Sequence, residues 1–395
     1  MDRIIAPVGA TQAERVVEAP RETNPPTMGV SLARQTRRTA WDGDSPHLLL
    51  LRRPPRLAAT TAGWAVVAFV RERDVKSVME YTGQAASRFA FAEILYDKKD
   101  GIARVTLNRP EVYNAYSSDT LREMTEAFRD ASMDDGVGVL VLTGAGDKAF
   151  CAGSDAKEFS SEFLHRPRNF WKFQGLLAEA LSLFRHLGKP TIARLNGVVA
   201  GAGNDWNLAA DLAIAADHVR LMQMGTRVGL VDAWGATQWL PLMIGDRRAR
   251  EMLLTCDEVT AEQALNWGLV NQVVPLKQLD RAVNALAKKL IQKFPECTRY
   301  TRQQLDTWKD LAWSLTAGHA RDWLAVHATS WEPYEGVQAF IEKRPPDTRR
   351  LRDLAAAGKS SEFLWGANTR KCPDCGAKGL PERFEYCGKC GSRLK

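Results

Sequence analysis

Long apolar runs are what this chain of 395 residues most plainly lacks. Its longest mostly apolar stretch, Leu57 to Val70, falls short of the roughly 20 residues needed to cross a bilayer. It also starts too deep in the chain for an ordinary secretory signal peptide. No membrane association is therefore expected. Cysteine is sparse outside the C-terminal end. Only Cys151, Cys256 and Cys297 lie there, scattered and unpaired in sequence, which excludes the disulfide framework of a secreted protein. Cys151 has no histidine near it in sequence and reads as a small turn residue. Histidine itself is scarce, with six residues in all. The net charge of +7 owes much to Arg52, Arg53, Arg56 and the stretch Lys343 to Arg352. A basic excess suits a polyanionic ligand, but charge runs near chain ends are usually solvated surface, and nucleic acid is not an expected partner.

The apolar fraction of 45% and charged fraction of 26% are those of a globular protein able to bury a sizeable core. Residues 1–78 differ from the rest. They are rich in Arg, Pro, Thr and Ala with little periodicity, and are expected to be disordered or to lie upstream of a start at Met79. From Phe89 the texture changes. Phe91 to Tyr96 and Ile102 to Leu107, separated by Asp97-Lys98-Lys99-Asp100-Gly101, predict a β-hairpin. Ser118 to Ser132 carries Leu121, Met124 and Phe128 at helical spacing. Val137 to Thr143 predicts a buried strand, Lys172 to Leu187 a helix and Thr191 to Leu195 a short strand, with another ending near Ala216. The alternation argues an α/β architecture. We expect a core over 79–260, a helical part over 261–343, a linker over 344–370 opened by Pro345-Pro346, and a cysteine module over 371–395.

Two glycine-containing turns each follow a strand and open a helix. They are Lys148-Ala-Phe-Cys-Ala-Gly-Ser-Asp-Ala-Lys-Glu158 and Asn196-Gly-Val-Val-Ala-Gly-Ala-Gly-Asn-Asp205. Small residues let backbone approach a ligand, and free N–H groups at helix starts can face a developing negative charge. With Thr106 to Pro110, Asn114-Ala115, Lys189-Pro190, Asp211, Gly235 to Gln238, Ala261 to Ala264 and Gly268 to Asn271, the stretch from Phe89 to Phe340 resembles the crotonase (enoyl-CoA hydratase/isomerase) superfamily.

The resemblance implies an α/β fold built as a crotonase-type ββα spiral, with a helical C-terminal trimerisation region and assembly as a homotrimer or hexamer. It implies an acyl-CoA thioester as substrate, coenzyme A being part of that substrate, and no redox cofactor. The amides of Ser154 and Ala202 would hold the thioester oxygen. Ala152, Asp155, Ala156 and Lys157 would lie along the coenzyme A, with Arg109 and Lys157 as phosphate partners. None of the histidines, His165, His186 and His218 included, falls at a catalytic position of the family. Trp206 and Trp234 are candidates for an acyl pocket, with core packing the default for each.

The departures bear on mechanism. Typical hydratases use two glutamates. The first position here is Asp205, and the second is Gly225, with no carboxylate. Asp232 stands a few residues on, in a segment where dihydroxynaphthoyl-CoA synthases carry an aspartate. The chain also resembles 6-oxocyclohexene-carbonyl-CoA hydrolases, which share the glycine and are similar over Leu240 to Gly245, Phe294 to Cys297 and Trp323 to Ala325. The expected activity is hydration, or hydrolysis through a hydrated intermediate, of an α,β-unsaturated acyl-CoA, cyclic ones included. Isomerisation or condensation is a second reading, and non-catalytic acyl-CoA binding a third.

Lys371-Cys-Pro-Asp-Cys-Gly376 and Tyr386-Cys-Gly-Lys-Cys-Gly391 are two similar knuckles. Cys372, Cys375, Cys387 and Cys390 in two Cys-x-x-Cys pairs predict a structural zinc ribbon with four thiolates and no open coordination position. So small a module should need its metal to fold. Its expected role is docking to another protein. Reduced metal-binding cysteines place the chain in a reducing, cytoplasmic setting.

Overall fold

A computed structural model describes residues 83–394; the expectations for residues 1–78 fall outside them. Among the described residues, the first strands form a hairpin of β1 (Ile94–Lys99) and β2 (Ile102–Leu107). Its turn is only Asp100-Gly101, both with positive φ (54° and 78°), which matches the twist of the two strands. Ser117 caps α1 (Ser118–Met133), accepting from the amides of Asp119 and Thr120 while Thr120 reaches back. The predicted stripe of Leu121, Met124 and Phe128 is fully buried.

Three turns of chain follow, each giving one strand to a larger sheet and then one to a smaller sheet. The pairs are β3 (Val139–Gly144) with β4 (Ala149–Cys151), β5 (Thr191–Leu195) with β6 (Val198–Ala200), and β7 (Leu212–Ala216) with β8 (Arg220–Met222). Between them run α2 (Ala156–Glu158), α3 (Pro167–Arg185) and α4 (Ala202–Ala209). Next come α5 (Ala236–Ile244), α6 (Asp246–Thr255), β9 (Val259–Thr260), α7 (Ala261–Trp267), β10 (Gln272–Val274) and α8 (Leu279–Ile291). The larger sheet has the order β1-β2-β3-β5-β7-β10 and is parallel beyond the hairpin; the smaller is β4-β6-β8-β9. Strand β3 is buried along its whole length, as its unbroken apolar run predicts. This is the α/β spiral, with a helical C-terminal region formed by α9 (Pro295–His327) and α10 (Trp331–Ile341).

Three of the sequence markers are polar ties, two of which, Asn114 and Asn196, are buried. Asn114 donates to the carbonyls of Ala145 (3.0 Å) and Ala149 (2.8 Å). Asn196 donates to Gly146 and Ala149 and accepts from Thr143 and the amide of Gly144. Asp211 binds the amide and hydroxyl of Thr191 at 2.8 Å each and the Arg302 guanidinium of α9 at 2.6 Å. These satisfy buried backbone groups where the sheets cross, and so hold the turns that carry the site.

The stretch 344–370 is the one read as a linker. It contains α11 (Thr348–Ala356), whose start is capped by Asp347 accepting from the Arg350 amide. The terminal module follows, with β11 (Arg370–Lys371) paired antiparallel to β12 (Lys378–Leu380). No described helix is long and apolar enough to cross a membrane.

Candidate active site and four-cysteine cluster

The two glycine turns meet at a cavity of about 300 Å³. Gly153 (φ 94°) and Gly201 (φ 51°) lie directly before Ser154 and Ala202. Positive φ is open to glycine at little cost, and it turns the next peptide away from the path a strand would take. Neither following amide donates a hydrogen bond among the described residues. A side chain at 153 would come within 3.2 Å of the Ala202 amide nitrogen, so the two turns are in direct contact. Tyr116 fixes the first turn, its amide donating to Gly153 O and its carbonyl accepting from Asp155 N, each at 2.9 Å. Its phenol, fully buried, accepts from the Ser154 hydroxyl at 3.2 Å.

Both aspartates line this cavity. Asp205 is only 2% exposed on α4, and its Oδ1 has no partner. Burial, then the neighbouring Asp232 charge, pushes its carboxyl well above the usual range, with an Ala236 backbone hydrogen bond opposing. Asp232 is partly exposed as a residue, but its Oδ2 is enclosed and unpartnered. Burial raises it to about 6, against hydrogen bonds from the backbone of Gly225 and Met224. Its Oδ1 accepts from Gly225 N at 3.3 Å. With its amide oriented to satisfy both ends, Gln223 donates to Asp232 Oδ1 (3.1 Å) and Gly201 O (3.2 Å) and accepts from Asn204 (3.1 Å). Gln223 thus ties the second aspartate to the second glycine turn.

Gly225 and Asp232 form one unit. A Cβ at 225 would stand 2.5 Å from Asp232 Oδ2 and 2.7 Å from both its Cγ and its backbone nitrogen. The Asp232 carboxylate occupies the space where a side chain at 225 would begin. Gly225→Ala should therefore displace Asp232 and lower turnover by roughly 10²-fold or more, the effect of misplacing a reacting group by about 1 Å. Turnover within twofold of the parent protein would show that the carboxylate position is unimportant.

Ala152, Ser154, Ala156, Ala202 and Gly225 also line the cavity. Arg109 does not. It donates to Ala115 O (2.7 Å) and Asp155 Oδ2 (2.9 Å) and pairs with Glu93 (3.2 Å). Asp155 in turn caps α2 through the amides of Lys157 and Glu158, and the Lys157 side chain is exposed. Trp234 lies on the cavity wall, whereas Trp206 is wholly enclosed among Tyr116, Phe128 and Phe184. The sequence reading missed Tyr116 and Gln223, and also Val337 and Phe340 of α10, which close one wall. For Tyr116, its place directly after the Asn114-Ala115 marker was an available signal. No described histidine lines the cavity. Burial pushes the Cys151 thiol up to about 12, the opposite of an activated nucleophile.

At the C-terminal end, the sulfurs of Cys372, Cys375, Cys387 and Cys390 all lie within 4.8 Å of one another. Cys372 and Cys390 are 3.6 Å apart, Cys375 and Cys387 3.7 Å. A tetrahedron with metal–sulfur bonds of about 2.3 Å has edges of about 3.8 Å, so these thiols fit a tetrathiolate metal. The apolar core around them is small, with Leu394, Leu380 and Phe384 as its larger members.

Two adjacent turns with unpaired amides thus share one cavity with the carboxyls of Asp205 and Asp232. Residues 97–350 match the family model described as enoyl-CoA hydratase/isomerase, and the chain belongs to that family. An enoyl-CoA hydratase of Bacillus anthracis is 30% identical, with a TM-score of 0.53 over 65% of this chain and 98% of that one. DspI of Pseudomonas aeruginosa is also 30% identical, with a TM-score of 0.54 over 66% and 99%. An enoyl-CoA hydratase of Mycobacterium avium subsp. paratuberculosis shares the fold at 24% identity, with a TM-score of 0.59 over 65% and 98%. The family acts on coenzyme A thioesters, and this chain is an enzyme of that family.

Proposed function

We propose that the chain adds water to an α,β-unsaturated acyl-CoA, cyclic acyl groups included, or hydrolyses one through the hydrated intermediate. The observation that carries this reading is the Asp205–Asp232 pair on one cavity wall, with environments that separate their proton affinities. Asp232, ionised at neutral pH, takes a proton from water as the oxygen bonds to the β-carbon. The electron pair of the double bond moves onto the thioester oxygen, where the amides of Ser154 and Ala202 hold the enolate. Asp205, protonated, delivers its proton to the α-carbon. Exchange with solvent then returns both carboxyls to their starting states. Ala152, Ala156 and Lys157 accompany the coenzyme A moiety, while Arg109 and Asp155 position that loop rather than meeting phosphate directly.

The test is purified protein with a panel of linear enoyl-CoA and cyclic dienoyl-CoA esters, followed by mass spectrometry. A gain of one water supports the reading. Migration of the double bond without mass gain replaces it with isomerase chemistry. Binding of the esters with no turnover would sink both.

The four cysteines would hold Zn²⁺ as a structural ion, which supplies cross-linking and no reaction step. Elemental analysis of the purified protein should find it, and replacement of Cys372 by Ser should remove it. Self-association, the trimer or hexamer of the resemblance, is supported by the exposed stripe of Leu305, Trp308, Leu311 and Leu315 on α9. A reducing, cytoplasmic setting belongs to the same proposal, because four cysteines clustered to hold a metal must stay reduced.

A further inference from the structure

The four-cysteine module is the motif that the chemistry above leaves without a task. Its sequence suggests docking, and its most specific contact is with its own chain. Trp331, the first residue of α10, is 4% exposed. The guanidinium of Arg383, between the two cysteine knuckles, lies 4.6 Å from its ring centroid, and that of Arg350 on α11 lies 5.0 Å from it. Arg383 also donates to Ser360 O (2.6 Å) and Leu364 O (3.2 Å), and its amide donates to Trp365 O (3.0 Å). The Trp331 amide donates to Glu362 O at 2.8 Å. Arg344 closes the same arc from the other end of α10, pairing with Glu335 at 2.5 Å. The start of α10 is thus clasped by the module and the segment leading to it.

From Trp331 the path to the cavity is short. Val337 and Phe340 on α10 line it directly. The backbone of α10 also packs against the loop that bears Gly225 and Asp232, with no side chain between them. A Cβ at Gly336 would stand 2.2 Å from the Val228 carbonyl carbon, and one at Gly229 would stand 2.0 Å from Glu332 O. Gln338 donates to Ser160 at 2.9 Å, beside the cavity residue Phe159. One helix therefore touches two cavity walls and the loop of one carboxylate. Such backbone-to-backbone packing transmits displacement, because it has no flexible side chain to absorb it.

We infer that the cysteine module is an intramolecular brace. Folded on its metal, it holds α10 through the Arg383–Trp331 contact, and α10 holds the acyl wall and the Asp232 loop in place. Arg383 and Trp331 are positioning residues that touch no reacting atom. The brace itself rests on packing alone; its effect on turnover rests also on the acyl-CoA reading. Two measurements keep these apart.

The first needs no substrate. Hydrogen exchange of the zinc-loaded full chain should show slow exchange over 331–341. Arg383→Ala, or stripping of the metal with a chelator, should raise exchange there while sparing β3. Arg383→Lys, which keeps a cation over the ring, should restore most of the protection. If neither treatment changes exchange over 331–341, the brace is refuted. The second uses an acyl-CoA ester that the panel shows to be turned over. Arg383→Ala should raise its KM by about fivefold or more, the low end of site-to-site coupling, with kcat changed less than KM. By reciprocity, the bound ester should tighten the metal's equilibrium affinity, measured by competition with the chelator, in the parent chain and not in the variant. Protection lost over 331–341 with KM and metal affinity both unmoved would refute the link to the cavity. Absence of turnover with every ester would overturn the acyl-CoA reading and leave the exchange result to decide the brace.

Discussion

Asp232→Asn should lower kcat by roughly 10²–10⁴-fold, the range for removing a positioned general base, and leave acyl-CoA binding nearly unchanged. The amide keeps the shape over Gly225 but cannot take a proton from water. Because Asp232 is raised to about 6, kcat/KM of the parent enzyme should climb as pH rises through about 6. That limb should vanish from the residual activity of the variant. Stability gives an independent sign. An aspartate in the unfolded chain titrates near ~3.9. The folded state therefore binds more protons in between, and stability is fully present below about pH 4 and declines as pH rises through about 6. The shift of roughly two units corresponds to at most about 3 kcal/mol. Asp232→Asn escapes that decline, so its Tm should equal or exceed the parent's at pH 8 and not at pH 4. An inactive but stabilised protein marks a residue kept for chemistry at a cost in stability. A variant with parental kcat would remove Asp232 from the mechanism.

The glycine turns could be read from sequence because their constraint is local. Gly153 and Gly201 need positive φ, and each stands one residue before its amide. The pairing of Gly225 with Asp232 could not be read in this way. Glycine at 225 looks like a lost carboxylate, and Asp232 seven residues later looks like a turn residue. Only the loop between them, which has no strand or helix periodicity, brings the carboxylate over the bare Cα. The intramolecular partners of Arg109 were not legible for a different reason. A long side chain takes its partners from tertiary packing, and Glu93, Asp155 and Ala115 were nearer than any cavity. The helix α11 was hidden by Pro345-Pro346, which suggests a linker. Yet proline commonly precedes or opens a helix, and Asp347 directly before Thr348–Ala356 is the matching cap. The cysteine spacing was legible because metal geometry is fixed by the ligands themselves. The contact of Arg383 with Trp331 crosses 52 positions (383 minus 331) and carries no pattern in either segment.

Asp205→Asn should also lower kcat by roughly 10²–10⁴-fold, with a signature opposite to that of Asp232→Asn. Asp205 is raised well above the usual carboxyl range, by burial first and the Asp232 charge second. In the proposed mechanism it starts protonated, and the parent rate should fall at the alkaline end as that proton is lost. The descending limb should be absent from the residual activity of Asp205→Asn, with the ascending limb near about 6 retained. Isotope incorporation separates the two further. In D₂O the parent enzyme, run in reverse on the hydrated product, should exchange the α-hydrogen through Asp205. The variant should lose that exchange even at enzyme concentrations where dehydration is still detectable. Lengthening the side chain should not substitute for it. Asp205 is 2% exposed on α4 and lines the cavity. Asp205→Glu adds a methylene to that packing, and overpacking of this kind costs about 1–3 kcal/mol. The site is built for two short carboxylates, one on a helix and one over a glycine. Recovery of full activity in Asp205→Glu would show instead that the cavity tolerates the longer acid and that the shorter one has no positional role.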